Sequence, residues 1–402
     1  MAAANMDAPH PDHYRSGKQG NALTPTTTKN IPFFMHDLGK AELDAVAEVL
    51  ANPILTTGAW VERFEHRFAD YLKARHAVGV TSCTGALHLA LLALGVGPGD
   101  EVITTPMTFI ASATAILQAG AKPVFVDVEP ETANLDVRNI EAAITERTRA
   151  IVPVHLYGQM CDMREIRKIA DSYGLKVVED AAHCVEGTRD GVRTGELGDA
   201  ACYSFYATKN LTCGEGGALV TNDDELAAKV RLLRLHGMNK NANDRHREGY
   251  KHWDMTEFGW KYNMDNIQAA LLLPQINRLE DNWRKRRELA DYYQDRLWDI
   301  PNLSRPSTLA GVEHAWHLFP VWIDSGKRDE VISELQNAGI SVMVNYRAIH
   351  LLTFFSQTYG FKPGDFPVAE RIGDASLSLP FYPNMPLDHV DRVIEVLRDI
   401  LH

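Results

Sequence analysis

The chain has 402 residues, is 45% hydrophobic and carries a formal net charge of −12. That length can bury a large core and suggests two domains, while the acidic balance argues against a general nucleic-acid binder, which needs a basic face. The cysteines Cys83, Cys161, Cys184, Cys202 and Cys213 are scattered with no zinc-type or disulfide-type spacing, so they read as reduced thiols of a cytoplasmic protein, and no metal site is expected.

Residues 1–30 are polar, lack an apolar signal core and read as a flexible leader. No run approaches the ~18 apolar residues of a membrane span. From His76 the chain alternates short apolar runs with helical patterns. Strands are expected at 76–80, 102–104, 123–128, 150–154 and 175–178. Helices are expected at 85–94, 110–118, around 140–144 and at 164–173. This alternation predicts βαβ units and a mostly parallel sheet covered by helices on both faces, with ligands bound beyond the carboxyl ends of the strands. Residues 238–262 are polar and aromatic without clear periodicity, which suits a functional loop or an arm toward a second subunit.

A helix is expected from Met264 to Leu279, followed by a charged helix containing Arg284-Lys285-Arg286-Arg287. Glu288, Asp291 and Asp295 follow that basic run, so it reads as a solvated helix face. Beyond Pro301 the pattern is α+β, with strands at 315–323 and 340–344 and helices at 329–338 and 390–401. The expected division is a large domain over 31–290 and a smaller C-terminal domain over 291–402.

The chemistry concentrates at Lys209, set between the aromatic segment Ser204-Phe205-Tyr206 and the glycine-rich Gly214-Glu215-Gly216-Gly217. Burial lowers a lysine pKa and frees the neutral amine that attacks carbonyls. Upstream, the strand Leu175-Lys176-Val177-Val178 ends in Glu179-Asp180. A Schiff-base lysine, with an aspartate able to pair with a pyridinium nitrogen, is what pyridoxal 5′-phosphate (PLP) requires of a protein. Taken singly, a lysine is usually a surface charge. Ser82-Cys83-Thr84-Gly85, between a strand and a helix, suits either a phosphate site or a simple helix cap. Ser204 can add a phosphate contact, Phe109 can stack on a flat ring, and His183 can meet a ring substituent. A dehydrogenase-type Gly-x-Gly-x-x-Gly turn is absent after the first strand.

In order, Leu55-Thr56-Thr57-Gly58, Gly97-Pro98-Gly99-Asp100-Glu101-Val102, Pro123-Val124-Phe125-Val126-Asp127, Pro153-Val154-His155-Leu156-Tyr157-Gly158, Glu179-Asp180-Ala181-Ala182-His183, the Lys209 segment and Leu377-Ser378-Leu379-Pro380 resemble the DegT/DnrJ/EryC1/StrS family of sugar-nucleotide aminotransferases. The resemblance runs from about Pro32 to the C-terminus. It implies the fold-type I architecture of PLP enzymes, with Lys209 as the Schiff-base lysine and Asp180 on the ring nitrogen. Phe109 would stack on the ring, and His183, in place of the family's commoner glutamine, would lie near its hydroxyl. Cys83, Thr84 and Ser204 would hold the phosphate. Asn263 would reach the cofactor phosphate of the other subunit, so the enzyme would be a homodimer. A lysine at 209, where the family's dehydratases have histidine, favours amination.

His183, Lys209-Asn210-Leu211-Thr212 with Glu215-Gly216-Gly217, and His314-Ala315-Trp316-His317-Leu318-Phe319 look most like the enzymes that aminate C4 of UDP-linked 4-keto sugars, the 4-amino-4-deoxy-L-arabinose type. L-Glutamate is the expected amino donor. Amination at C3, or of dTDP- or GDP-linked sugars, is the alternative, and a non-catalytic regulatory protein on the same fold is a further one. His317, Tyr346, Arg347 and His350 are the expected sugar-nucleotide contacts.

Overall fold

The computed structural model describes residues 30–239, 252–324 and 326–402. The expected leader, apart from Asn30, and residues 240–251 of the expected arm lie outside these ranges. The strands before Thr221 are β1 (His76–Val80), β2 (Glu101–Thr104), β3 (Lys122–Phe125), β4 (Thr148–Ile151), β5 (Lys176–Asp180), β6 (Thr188–Arg189), β7 (Val192–Arg193), β8 (Ala200–Ser204) and β9 (Gly217–Thr221). Helices α1 (Lys40–Leu50), α2 (Ala59–Leu72), α3 (Cys83–Ala93), α4 (Ala111–Gln118), α5 (Met163–Tyr173) and α6 (Asp224–Leu233) connect or flank them.

Seven strands form one sheet in the order β1-β9-β8-β5-β4-β2-β3. The pairs β2/β3, β2/β4, β4/β5 and β5/β8 are parallel, and β9 runs against both β8 and β1. Strands β2, β8 and β9 are buried at every position, as continuous apolar runs in a two-sided sheet require. On one face, α2 places Val61, Phe64, Phe68 and Leu72 inward at helical spacing, and Phe68 meets Tyr203 and Phe205 edge-on. On the other, α3 is apolar nearly all round because it lies between the sheet and the neighbouring helices.

The expected mostly parallel sheet is therefore observed. The expected helix at 140–144 is instead two 3-10 turns, Val137–Asn139 and Glu141–Ala143. The Asp136 carboxylate accepts from the Arg138 N–H and from Asn139 Nδ2 there, and such local side-chain bonds compete with a continuous helix.

The C-terminal part carries β10 (Leu303–Ser304), β11 (Val312–Glu313), β12 (Phe319–Ile323) and β13 (Ser376–Leu379). An antiparallel sheet in the order β10-β12-β13 packs Phe319, Val321, Leu377 and Leu379 against the helices Arg328–Asn337 and Leu387–Leu401. The helix Leu279–Leu297 serves both cores: Leu279 packs under the large sheet, and Leu289, Tyr293 and Leu297 under the small one. It runs unbroken through the expected boundary at residue 290.

Two expected strands are shorter than their apolar runs. Residues 315–318 do not join β12, because the Ala315 N–H donates to Gly158 O and the His317 N–H to Tyr157 O. That diversion carries His317 toward the large sheet. Residues 340–344 make only isolated bridges, Ile340 to Ile31 and Met343 to Ser378.

One close approach fixes the carboxyl edge of the sheet. Gly217 on β9 pairs with Val80 and Ser204, and a Cβ there would stand 2.4 Å from Ser82 C and 2.5 Å from Cys83 N. Gly217→Ala is expected to cost about 1–3 kcal/mol through overpacking against backbone that cannot move freely. Urea unfolding of the variant measures that loss.

Candidate active site

The site is built where β1, β5 and β8 end. Ser82 is extended and its Oγ accepts from the Gly85 N–H at 3.0 Å, capping α3. The first amides of α3, those of Cys83 and Thr84, have no intrahelical acceptor, and a helix N-terminus with free amides attracts anions. Ser204 lies across from Gly217, which itself touches Ser82, so its hydroxyl borders the same helix end. Ser204 Oγ accepts from the Tyr206 N–H at 3.3 Å, which leaves the hydroxyl proton available. Amides and hydroxyls gathered here suit a phosphate without any lysine or arginine.

Asp180 closes β5 and is 5% exposed. Its Oδ2 accepts from Ser112 Oγ at 2.7 Å and its Oδ1 from the Ala182 N–H at 3.2 Å, with the Cys83 thiol 3.9 Å away. The carboxylate is thus locked in direction. Lys209 lies in the turn after β8, where its N–H donates to Tyr206 O. Burial pulls its amine down to about 8, against the opposing pull of Asp180 and Cys83. Near neutral pH a sizeable fraction of the amine is therefore the free base, which an exposed lysine does not offer. Its Nζ lies 3.3 Å from His317 Nε2.

His183 sits beside this pair. Its Nδ1 accepts from the Tyr157 N–H at 3.2 Å, which assigns the ring proton to Nε2, 3.2 Å from the Tyr346 hydroxyl. Burial and the nearby lysine push the imidazole well below its ordinary pKa, so it is neutral. The rings of His183 and His317 are 4.5 Å apart, and Phe109, 54% exposed, stands 5.8 Å from Tyr346. Asp180, His183, Lys209, Tyr346 and Phe109 are therefore brought together around one cleft, with Cys83, Thr84 and Ser204 at the adjoining helix end.

The four expected sugar-nucleotide contacts separate. Tyr346 joins the cleft, and Arg347 beside it is exposed. His317 is 5% exposed and faces Lys209, an interior position set by the diverted 315–318 backbone. His350 is fully buried elsewhere: its Nε2 is 3.0 Å from Glu370 and its ring packs on Phe366. Asn263 is bridged to Val80, receives a bond from Lys261 Nζ at 2.6 Å and donates to Thr57 Oγ1 at 2.7 Å.

The sequence matches the DegT/DnrJ/EryC1/StrS aminotransferase family over residues 36–398. The chain belongs to this family. It is 45% identical over 377 residues to the spore coat polysaccharide biosynthesis protein SpsC of Bacillus subtilis, covering 92% of this chain and 97% of that one. It is 40% identical over 365 residues to the GDP-perosamine synthase of Caulobacter vibrioides, covering 90% and 95%. Among solved structures, DesV of S. venezuelae superposes with a TM-score of 0.87 at 37% identity, covering 93% of this chain and 99% of that one. Solved relatives carry PLP or its pyridoxamine form.

The protein is a PLP-dependent aminotransferase of the fold-type I architecture. The donor set described above fits that cofactor: a buried amine of lowered pKa, a fixed carboxylate and an anion-binding helix end share one cleft.

Several residues that shape this aminotransferase site are not legible in the sequence. Ser112 is 68 positions from Asp180 and meets it only because α4 opens at the same sheet edge. Asn210 adjoins Lys209, the one signal that could have drawn notice, whereas Glu186 reaches Asn210 from another segment and Arg286 reaches Glu186 from a third. Ser112→Ala should lower kcat by roughly tenfold, since a bond to a charged group is worth about 1.5–3 kcal/mol and only part of it orients Asp180. Steady-state kinetics on the purified variant checks this.

Proposed function

We propose that this aminotransferase moves an amino group from an amino acid, L-glutamate by preference, to the C4 keto carbon of a UDP-linked sugar for cell-surface polysaccharide synthesis. The observation that carries the reading is the buried Lys209 amine, its pKa lowered to about 8 by burial, held beside the fixed Asp180 carboxylate. The polysaccharide role follows the description of the Bacillus subtilis relative. A GDP-linked sugar is the second reading, favoured by the Caulobacter relative.

When bound, PLP supplies an electron sink for the carbon that loses its proton. The rest is work for the chain's own residues. Lys209 would hold the cofactor covalently, and its free amine would move the proton as general base and general acid. Asp180 would pair with the ring nitrogen and keep it protonated. The Cys83 and Thr84 amides with Ser204 would anchor the phosphate, Phe109 would cover one ring face, and the Nε2–H of His183 would address the ring hydroxyl. Tyr346 and the exposed Arg347 stand at the mouth, where a nucleotide diphosphate would enter.

The active unit is proposed to be a homodimer. Trp253, Met255 and Phe258 (72% exposed) are each exposed in the segment that leads to Lys261–Asn263, which would carry Asn263 toward the partner's phosphate. The five cysteines are all free and buried, which suits a reducing cytoplasm. No helix among the described residues is long and apolar enough to cross a membrane.

Half-reaction kinetics of the pyridoxamine form against UDP-, GDP- and dTDP-linked 3-keto and 4-keto sugars tests the reading. Fast conversion of a UDP-4-keto sugar is expected. Preference for a 3-keto sugar or another base would replace that assignment.

A further inference from the structure

A buried polar chain runs behind Lys209. Arg286 Nη2 donates to Glu186 Oε1, and these two side chains are 2% and 1% exposed. Glu186 Oε2 accepts from Asn210 Nδ2 at 3.0 Å, and the same amide also donates to Ala315 O at 3.2 Å. Asn210 Oδ1 then faces His317 Nδ1 at 3.3 Å, and His317 Nε2 faces Lys209 Nζ at 3.3 Å.

The chain has one consistent hydrogen assignment. Flipping the Asn210 amide would set its oxygen against a carboxylate and a carbonyl, two acceptors that it cannot satisfy. Its Oδ1 must therefore accept, so His317 carries its proton on Nδ1. Nε2 is left with a lone pair, and the bond to Lys209 must be donated by the amine. Burial, with Lys209, His183 and Arg286 near, keeps this imidazole neutral. The titratable groups facing the amine are Asp180 from β5, Cys83 from α3, and His183 and His317 from the loops.

We propose that Arg286, Glu186, Asn210 and His317 form a positioning relay for Lys209. The relay fixes His317 as a hydrogen-bond acceptor, so one amine hydrogen is held by Nε2 and the amine's own lone pair points into the cleft. The opposite tautomer would present Nε2–H to the amine and occupy that lone pair. The groups that select between them are the Glu186 carboxylate and the Ala315 carbonyl, and Arg286 holds both in place from behind. The inference rests on the reading of Lys209 as the reactive amine.

The apoprotein tests it without turnover. Nitrogen-15 NMR of the His317 imidazole at neutral pH should show the Nδ1–H form; an Nε2–H form in the wild type would overturn the proposal by itself. Acylation of the Lys209 amine across pH, followed by mass spectrometry of its peptide, should titrate near the value of about 8. In Asn210→Ala the tautomer is released. The midpoint should fall by about one pH unit, because the ammonium loses its acceptor, and the high-pH acylation rate should fall severalfold, because the lone pair is engaged. A merely loosened site would move both toward an ordinary lysine, upward, and that result or no change would overturn the relay. Borohydride trapping of the holoenzyme checks the underlying reading separately. Cofactor fixed to a peptide without Lys209 would remove that reading and leave the tautomer result standing.

Discussion

Lys209→Ala is expected to abolish transamination, with a loss on the order of 10⁴-fold, because one side chain supplies both the covalent hold and the proton transfer. The variant should also lack the visible absorbance of covalently held cofactor. Turnover near the wild-type rate, with that absorbance retained, would sink the assignment of the site. The wild-type pH profile carries the same signature. In the cofactor-free protein the amine's midpoint is about 8, so below it each pH unit removes about tenfold of the free base, and the rate of uptake of added PLP should climb through neutrality and level above 8. Stability should respond as well. The folded amine titrates below the unfolded one at 10.5, so between these values the unfolded chain binds more protons. Apoprotein stability therefore rises with pH across that window. Lys209→Met, which keeps the volume and removes the charge, should flatten that rise in urea titrations.

The fold was largely legible because its central strands are continuous apolar runs and its helices, amphipathic as in α5 or apolar and longer as in α3, alternate with them. The expected runs at β1, β2, β5 and α5 match the structure to within about two residues. What failed has a common cause. An apolar run says that residues are buried, not which partner pairs them. Residues 315–318 continue the apolar run of β12 apart from His317, yet their amides bond to the Tyr157–Gly158 turn, and His317 thereby reaches Lys209. Of residues 340–344 only Ile340 and Val342 are buried, Met343 is 48% exposed, and the stretch is tied by two single bridges. The site shows the same division. Lys209 and Asp180 are visible because each ends or follows an apolar strand with a residue that such a place seldom holds. Ser112 and Glu186 are ordinary polar residues in ordinary sequence, Asn210 draws notice only as the neighbour of Lys209, and Arg286, read as part of a solvated basic face, is instead 2% exposed because Glu186 pairs with it. Only the three-dimensional approach of α4, of the loop after β5 and of the helix Leu279–Leu297 gives them a role. His350 shows the converse, a histidine in a suggestive segment that Glu370 and Phe366 hold in the core.

Asp180→Asn isolates the electrostatic part of the reaction from the covalent part. The substitution keeps the shape and leaves an oxygen that can still accept from Ser112, whose bond now fixes Oδ2 at 2.7 Å. What disappears is the negative charge. A unit charge pair at about 4 Å is worth about 4 kcal/mol at an effective dielectric near 20, which corresponds to roughly 10³-fold in rate. Both half-reactions should slow by that factor, since each passes electrons into the same ring, while Lys209 still holds the cofactor and the visible band persists. The variant also bears on Lys209. Asp180 raises the amine's pKa against the effect of burial, so removing its charge should bring the midpoint below about 8. Slow turnover with bound cofactor and a lowered amine midpoint is therefore the joint expectation. Near-normal rates in both half-reactions, with cofactor bound, would mean that the ring nitrogen is not paired with Asp180. In that case the 5%-exposed carboxylate at the end of β5 would act on Lys209 alone.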